Sequence, residues 1–339
     1  MQRQCVWFDA PRQVCVRDEL LNEIADDHVL VQTRVSAISA GTEMLFYCGQ
    51  VSANLPVDVS IAALSGEMRY PLRYGYACVG RVIQIGARVP GEWLHRTVFA
   101  FQPHASHFVA RVDELLPVPE SISPERAALL PNMETAVNFV MDAAPVIGER
   151  AAVLGQGVVG LLTTALLAQM PLAQLVTFDR FEKRRTQSCA LGASEAFDPQ
   201  DADAIARARG LLQSDGADVT FELSGNPHAI DLAIALTGFA GRIVIGSWYG
   251  AKRAPIDLGG KFHRSRIQLI ASQVSTIAPA FSARWTKARR INVAWLMLAR
   301  LPLDNLITHR FALVDAARAY ELLDQQPAEA LQVLLTYDN

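Results

Sequence analysis

No Cys-x-x-Cys pair occurs in the 339 residues, and the five cysteines (Cys5, Cys15, Cys48, Cys78, Cys189) are odd in number and scattered. This excludes a disulfide framework and a four-cysteine zinc lobe, and the thiols read as small buried hydrophobes of a reducing compartment. An excess of one charge sign is also missing. Lys and Arg number 31 against 34 Asp and Glu, a formal net charge of −3, so no basic field attracts nucleic acid or an anionic membrane surface. The short basic run Lys287, Arg289, Arg290 reads as a solvated helix face. The opening MQRQCVWFDAPRQV lacks a basic start followed by an apolar run, which predicts no secretory signal and, by default, a cytoplasmic protein. The longest helical apolar stretch, VVGLLTTALLAQM, is too short to span a bilayer.

The chain is instead 51% hydrophobic and 19% charged, a balance that suits a packed α/β protein, and its length favours two domains over one. Residues 1–120 read as β-rich, with HVLVQTRVSAIS, ACVGRVIQIG, RTVFAFQ and SHFVARV separated by Gly, Pro and Asp turns. Ser123 then caps a helix whose first position is Pro124. Six β-runs follow (AAVLG, LVTFD, EAFD, DVTFELSG, GRIVIGS, RIQLIAS), alternating with helical segments. That alternation predicts a doubly wound parallel sheet. An amphipathic helix, LVDAARAYELLDQ, and a last strand, LQVLLTY, close the chain.

Gly155, Gly157 and Gly160 form G-x-G-x-x-G directly after a predicted strand and at the start of a helix. In that context the glycines permit a tight turn, close approach of a pyrophosphate, and helix–strand packing. The helix N-terminal amides, at Val158 and Val159, face the phosphates. Asp179 ends the next strand, 19 residues after Gly160, at the spacing for a carboxylate on the adenosine ribose diol. An acid there repels a 2′-phosphate and favours NAD, whereas the neighbouring Arg180 leaves NADP open. Ser224 and Ser247 lie at the ends of two later strands, and Arg264 precedes the last one, where a guanidinium suits a phosphate.

Four stretches, VSAISAGTE, GYACVGRVIQIG, VLGQGVVG with its FD, and DGADVTFELSGNPHAIDLAIALTGFAGRIVIGSWYG, make the chain resemble the medium-chain dehydrogenase/reductase superfamily over nearly its full length. The resemblance implies an α/β protein in which a Rossmann domain is inserted in a GroES-like, β-rich catalytic domain, with the active site in the cleft. It divides the chain into residues 1–121, 122–273 and 274–339. Within the superfamily, SAISAGTEMLFYCG, YPLRYGYACVG, FHRSRIQLIASQVS and RWTKARR most resemble the zinc-free bacteriochlorophyllide dehydrogenase-like group. Zinc members place a Cys where this chain has Ser39, a His-Glu pair where it has Tyr76 and Ala77, and a further ligand near Pro131. A hydroxyl, a phenol, a methyl and an imino acid do not make a zinc site, so the expectation is no metal.

Without a Lewis acid, alcohol–ketone exchange needs a group that handles the hydroxyl proton. The resemblance nominates Tyr76 as donor, Thr42 as contact or relay, and Glu43 and Glu134 as bases. It also sets Thr135 beside the nicotinamide. The remaining histidines read as isolated residues of turns and strands; Phe46, Tyr47, Trp248 and Tyr249 could wall a bulky planar substrate or pack in the core. The expected function is a metal-independent, NAD(H)-dependent oxidoreductase acting on a small-molecule secondary alcohol or ketone, as a homodimer. An NADPH-dependent quinone or enone reductase and a non-catalytic NAD-binding sensor are the competing readings.

Overall fold

The structure, a computed structural model, describes residues 1–21, 23–52, 56–57 and 61–337. The chain begins with an antiparallel hairpin of β1 (Gln2–Ala10) and β2 (Gln13–Leu20). There follow β3 (His28–Ile38), α1 (Ala40–Tyr47), β4 (Cys78–Ile85), β5 (Thr97–Ala100), β6 (His107–Arg111), β7 (Leu115–Pro117) and the short α2 (Pro124–Ala127). As read from the sequence, Ser123 caps α2 with Pro124 in the first position, the Oγ accepting the Arg126 N–H at 3.3 Å.

The middle of the chain carries α3 (Leu130–Ala143), β8 (Arg150–Leu154), α4 (Val158–Leu167), β9 (Gln174–Phe178), α5 (Glu182–Ala190), β10 (Glu195–Phe197) and α6 (Ala202–Leu211). It continues through β11 (Ala217–Glu222), α7 (Ala229–Leu236), β12 (Thr237–Ile245), β13 (Gln268–Ala271) and α8 (Lys287–Arg300), before β14 (Ile307–Ala312), α9 (Ala316–Gln325) and β15 (Gln332–Thr336).

Packing divides the chain into two units, Met1–Pro131 with Leu303–Asn339, and Asn132–Pro302. These divisions lie beyond the 121/122 and 273/274 boundaries of the sequence reading, for reasons visible in the ion pairs. Arg126 pairs with Asp304 and Glu125 with Arg310, tying α2 to the returning segment of the first unit. Arg290 ties α8 to α3 in the second.

Among the described residues the first unit holds a seven-stranded sheet ordered β14-β15-β3-β4-β5-β7, with β6 also on β3. β3 is central because it pairs with β4, β6 and β15, all antiparallel. Its near-continuous burial reflects neighbours on both faces. Val6, Phe8, Phe46, Tyr74, Tyr320 and Leu335 share the adjoining core.

The second unit holds a parallel sheet ordered β10-β9-β8-β11-β12-β13, the doubly wound order expected from the sequence. Its central strands are buried apolar runs, as parallel strands covered on both faces must be.

Two sequence expectations need correction. Cys5 and Cys78 are buried, but Cys189, on α5, is exposed. Arg290 is not on a solvated face: Lys287 and Arg289 are exposed, while Arg290 is 0% exposed. Among the described residues, no helix is long and apolar enough to cross a membrane.

Candidate active site

In the second unit, the glycine-rich turn joins β8 to α4. Gly155 has φ +90°, and a Cβ there would lie 2.5 Å from the Ser224 Cα. A Cβ on Gly160 would lie 2.0 Å from the Gly155 carbonyl oxygen. Gly157, the N-cap of α4, faces open space, with no heavy atom within 4 Å of a Cβ position and no side-chain cap among the described residues. The first-turn amides of Val158, Val159 and Gly160 therefore head a helix whose positive end has no carboxylate of its own. Such an end binds anions.

Asp179 is nearly buried and braces this turn. Its Oδ2 accepts the Gln156 N–H at 2.7 Å and its Oδ1 the Phe181 N–H at 2.9 Å. An ionised carboxylate has about four acceptor positions, so both oxygens retain capacity for a ribose hydroxyl. Arg180 and Arg184 both lie over the Phe181 ring, at 5.3 and 4.8 Å. Burial pulls the Arg184 guanidinium below its ordinary value, against the opposing pull of Asp179.

At the end of β11, the buried Glu222 accepts from the Ser224 N–H at 2.9 Å, from its hydroxyl, and from the Tyr249 phenol. Burial, with Glu222 alongside, raises the Tyr249 phenol far above its ordinary range, so it stays a donor. Ser247 Oγ accepts the Gly225 N–H at 2.9 Å. Ser224 and Ser247 thus act first as braces of the strand ends. Arg264 is exposed.

In the first unit, Ser39, Thr42 and Tyr76 come together although 37 residues separate the first from the last. The Tyr76 hydroxyl donates to Ser39 Oγ at 2.5 Å and lies 3.3 Å from Thr42 Oγ1. All three residues are half-buried. Glu43, one residue beyond Thr42, does not share their access. It is 0% exposed, and its Oε1 accepts the Ser39 N–H at 2.7 Å. Its Oε2 accepts from the Tyr320 hydroxyl at 2.5 Å and pairs with His104 Nε2 at 3.0 Å. The expectation of Glu43 as an open base therefore gives way to a buried carboxylate held by three donors, as burial of such a group requires.

His104, left among the isolated turn and strand histidines by the sequence, lies at the centre of this buried network. It is 0% exposed, and its Nδ1 lies 2.7 Å from Ser36 Oγ, which lies 2.7 Å from the Tyr337 hydroxyl. Burial raises both Tyr320 and Tyr337 well above the ordinary phenol range, so each keeps its proton. One pattern satisfies the whole chain: Tyr337 donates to Ser36, Ser36 to His104 Nδ1, and His104 Nε2–H to Glu43. Gly75, with φ +109°, lies against the imidazole: a Cβ there would stand 2.6 Å from the His104 ring.

Glu134 belongs to the second unit and to another network. Its Oε1 accepts from Arg290 Nε at 3.1 Å and Nη2 at 2.8 Å. Arg290 also donates to Asn138 Oδ1 at 2.5 Å and to the carbonyls of Val274 and Thr276. Both bonds fall on Oε1, so the ion pair to Arg290 anchors the Glu134 carboxylate through one oxygen. Removing one member of a buried pair costs about 3–5 kcal/mol. Arg290→Leu should therefore lower unfolding free energy by about that amount in denaturant melts, whereas Lys287→Ala should stay within about 0.5 kcal/mol. The aromatics separate as well. Phe46 stacks on Tyr74 and Tyr47 on Tyr320 in the core, while Trp248 is 41% exposed.

Residues 158–290 match the family of zinc-binding dehydrogenases. Sorbitol dehydrogenase 1 of Saccharomyces cerevisiae is 25% identical over 238 residues, covering 68% of this chain and 63% of that protein, so the chain aligns with under two thirds of that relative's length. A short chain alcohol dehydrogenase of Escherichia coli CFT073, solved with NADH, superposes with TM-score 0.79 at 16% identity, covering 99% of both chains. A Sinorhizobium meliloti 1021 protein solved bound to NADP gives TM-score 0.79 at 17% identity, again over 99% of both. The fold is that of the medium-chain zinc-binding dehydrogenases, a Rossmann unit and a GroES-like unit, and the sequence is similar to theirs.

That similarity implies a catalytic zinc, which the residues present do not fit. The hydroxyls of Ser39 and Tyr76, which the sequence reading sets against zinc-ligand positions, are hydrogen-bonded to each other at 2.5 Å. Two ligands of one tetrahedral zinc with bonds near 2.0–2.1 Å stand about 3.3 Å apart. Ala77 offers no donor atom, and the nearby carboxylate of Glu43 is already engaged. Among the described residues, no group of three or more His, Cys, Asp or Glu side chains could hold a metal ion.

Proposed function

We propose that this protein is a metal-independent, NAD(H)-dependent oxidoreductase interconverting a secondary alcohol and a ketone. The observation that carries the reading is the hydroxyl cluster of Ser39, Thr42 and Tyr76, two of whose members, Ser39 and Tyr76, the resemblance matches to ligand positions of zinc members. In the first unit the proton-handling group is the Tyr76 hydroxyl; in the second, the turn at Gly155, Gly157 and Gly160 and the amides of Val158 and Val159 hold the pyrophosphate. Bound there, the nicotinamide cofactor gives or takes the hydride.

In the reductive direction Tyr76 donates its phenolic proton to the oxygen that becomes the alcohol. Ser39 Oγ accepts the Tyr76 hydrogen bond at rest, and Thr42 lies close enough to pass a replacement proton. In the oxidative direction the step runs in reverse: Tyr76, as the phenolate left after its proton passes through Thr42 to solvent, takes the proton of the alcohol. Asp179 supports NAD over NADP through its remaining acceptor positions, Thr135 flanks the nicotinamide ring, and Arg264 meets a cofactor phosphate. Arg180 and Arg184 over Phe181 support a secondary use of NADP. The exposed indole of Trp248 and the likeness to the bacteriochlorophyllide dehydrogenase-like group support a bulky, planar alcohol. β13, an edge strand with Gln268, Leu269 and Ala271 exposed, supports a homodimer.

The test is nicotinamide absorbance with a panel of secondary alcohols, ketones and enones, before and after exhaustive chelation, with elemental analysis of the protein. The expected result is alcohol–ketone exchange that survives chelation in protein without stoichiometric zinc. One zinc per chain, with activity lost to the chelator, overturns the proposal.

A further inference from the structure

We infer that His104 is a positioning residue that sets both halves of the hydroxyl cluster, Ser39 and Tyr76, from inside the first unit. The inference rests on the function proposed above. His104 reaches the cluster by two separate routes. On one side its Nε2 pairs with Glu43 Oε2 at 3.0 Å, and Glu43 Oε1 takes the Ser39 N–H at 2.7 Å. That N–H belongs to the N-cap of α1, so the carboxylate fixes where the helix begins and where Ser39 Oγ stands. On the other side the imidazole lies against Gly75. The space a Cβ would take there is 2.6 Å from ring atoms Cδ2 and Nε2, so the backbone that carries Tyr76 runs flush with the ring. The His104 N–H also donates to the Tyr74 carbonyl at 3.4 Å, joining the same two segments.

The ring itself cannot turn freely. Ser36 Oγ holds Nδ1 at 2.7 Å, Tyr337 backs Ser36, and Tyr320 holds the same Glu43 oxygen from α9. Every one of these partners is buried. A reacting constellation has to be held within roughly 0.5 Å, and displacement of about 1 Å costs on the order of a hundredfold in rate. His104 touches neither substrate nor cofactor in this scheme. It acts through Glu43 and Gly75.

The experiment places 3-fluorotyrosine at position 76 and reads its fluorine resonance, alongside kcat and KM on an alcohol the native protein oxidises. His104→Ala should shift the resonance and lower kcat roughly a hundredfold, with KM for NAD unchanged. His104→Gln, whose amide can still donate to Glu43, should recover part of both. Tyr320→Phe, which removes one of three donors to Glu43 and leaves the ring in place, should have the smaller effect. A folded His104→Ala protein with an unmoved resonance and full kcat overturns the inference. If the alanine variant does not fold, Ser36→Ala decides, because it releases Nδ1: a shifted resonance with lowered kcat supports the inference, and both unmoved overturns it. Full turnover in Tyr76→Phe would defeat the functional reading alone, since the resonance reports His104's hold on residue 76 without any turnover.

Discussion

Tyr76→Phe is expected to lower turnover by about 10²–10⁴-fold, the usual cost of losing a general acid–base group, while leaving NAD(H) affinity unchanged. The substitution is narrow. The ring keeps its edge-on contact with Tyr74 at 6.1 Å and its packing on the neighbouring core, and only the hydroxyl that bonds Ser39 and approaches Thr42 is lost. The proposed cofactor turn at Gly155, Gly157 and Gly160 belongs to the other folding unit, so NADH affinity provides an internal control. Steady-state absorbance with a secondary alcohol and fluorescence titration with NADH measure the two quantities separately. Undiminished turnover in the variant would transfer the proton step to Thr42 or bound water. A parallel loss of NADH affinity would mean that Tyr76 acts on cofactor binding instead.

What could be read in the sequence was what lies close together along the chain. The three glycines of the nucleotide turn fall within six residues, and the strand that presents Asp179 follows at a spacing fixed by one helix and one strand. The alternation of β-runs and helices marks a parallel sheet, because parallel strands need crossover connections. The convergence of Ser39 with Tyr76 was reachable only through the resemblance, which matches their two separate stretches to ligand segments of one zinc site.

The buried network was not reachable in that way. Its members, Ser36, Glu43, His104, Tyr320 and Tyr337, are joined by strand pairings such as β3 with β15, which span about the whole chain. A single histidine in a loop carries no period by which to recognise it. Arg290 is a different failure, because its signal was present. Arg290, Ala294 and Leu298 recur every four residues and are all buried on one face of α8. Reading Lys287, Arg289 and Arg290 as one charge cluster concealed that helical spacing, which Glu134 made tolerable by neutralising the guanidinium.

Gly157→Val and Gly160→Ala should fail in opposite ways, although one motif contains both residues. Gly157 has φ −66° and ψ −177°, which any residue can adopt, and nothing lies within 4 Å of its Cβ position. Valine there should leave the thermal midpoint close to native. It should weaken NADH binding by about a hundredfold, because the side chain occupies the approach of the pyrophosphate. At Gly160 the obstruction is internal. Its Cβ would stand 2.0 Å from the Gly155 carbonyl oxygen, backbone that cannot rotate aside. α4 must then move away from β8, a repacking that costs about 1–3 kcal/mol or more, so Gly160→Ala should melt early even without nucleotide. Thermal melts and NADH fluorescence titrations on both variants resolve the pair. Native NADH affinity in a stable Gly157→Val protein would mean that this turn does not cradle the cofactor's phosphates, and the nucleotide-binding half of the proposed function would fall with it.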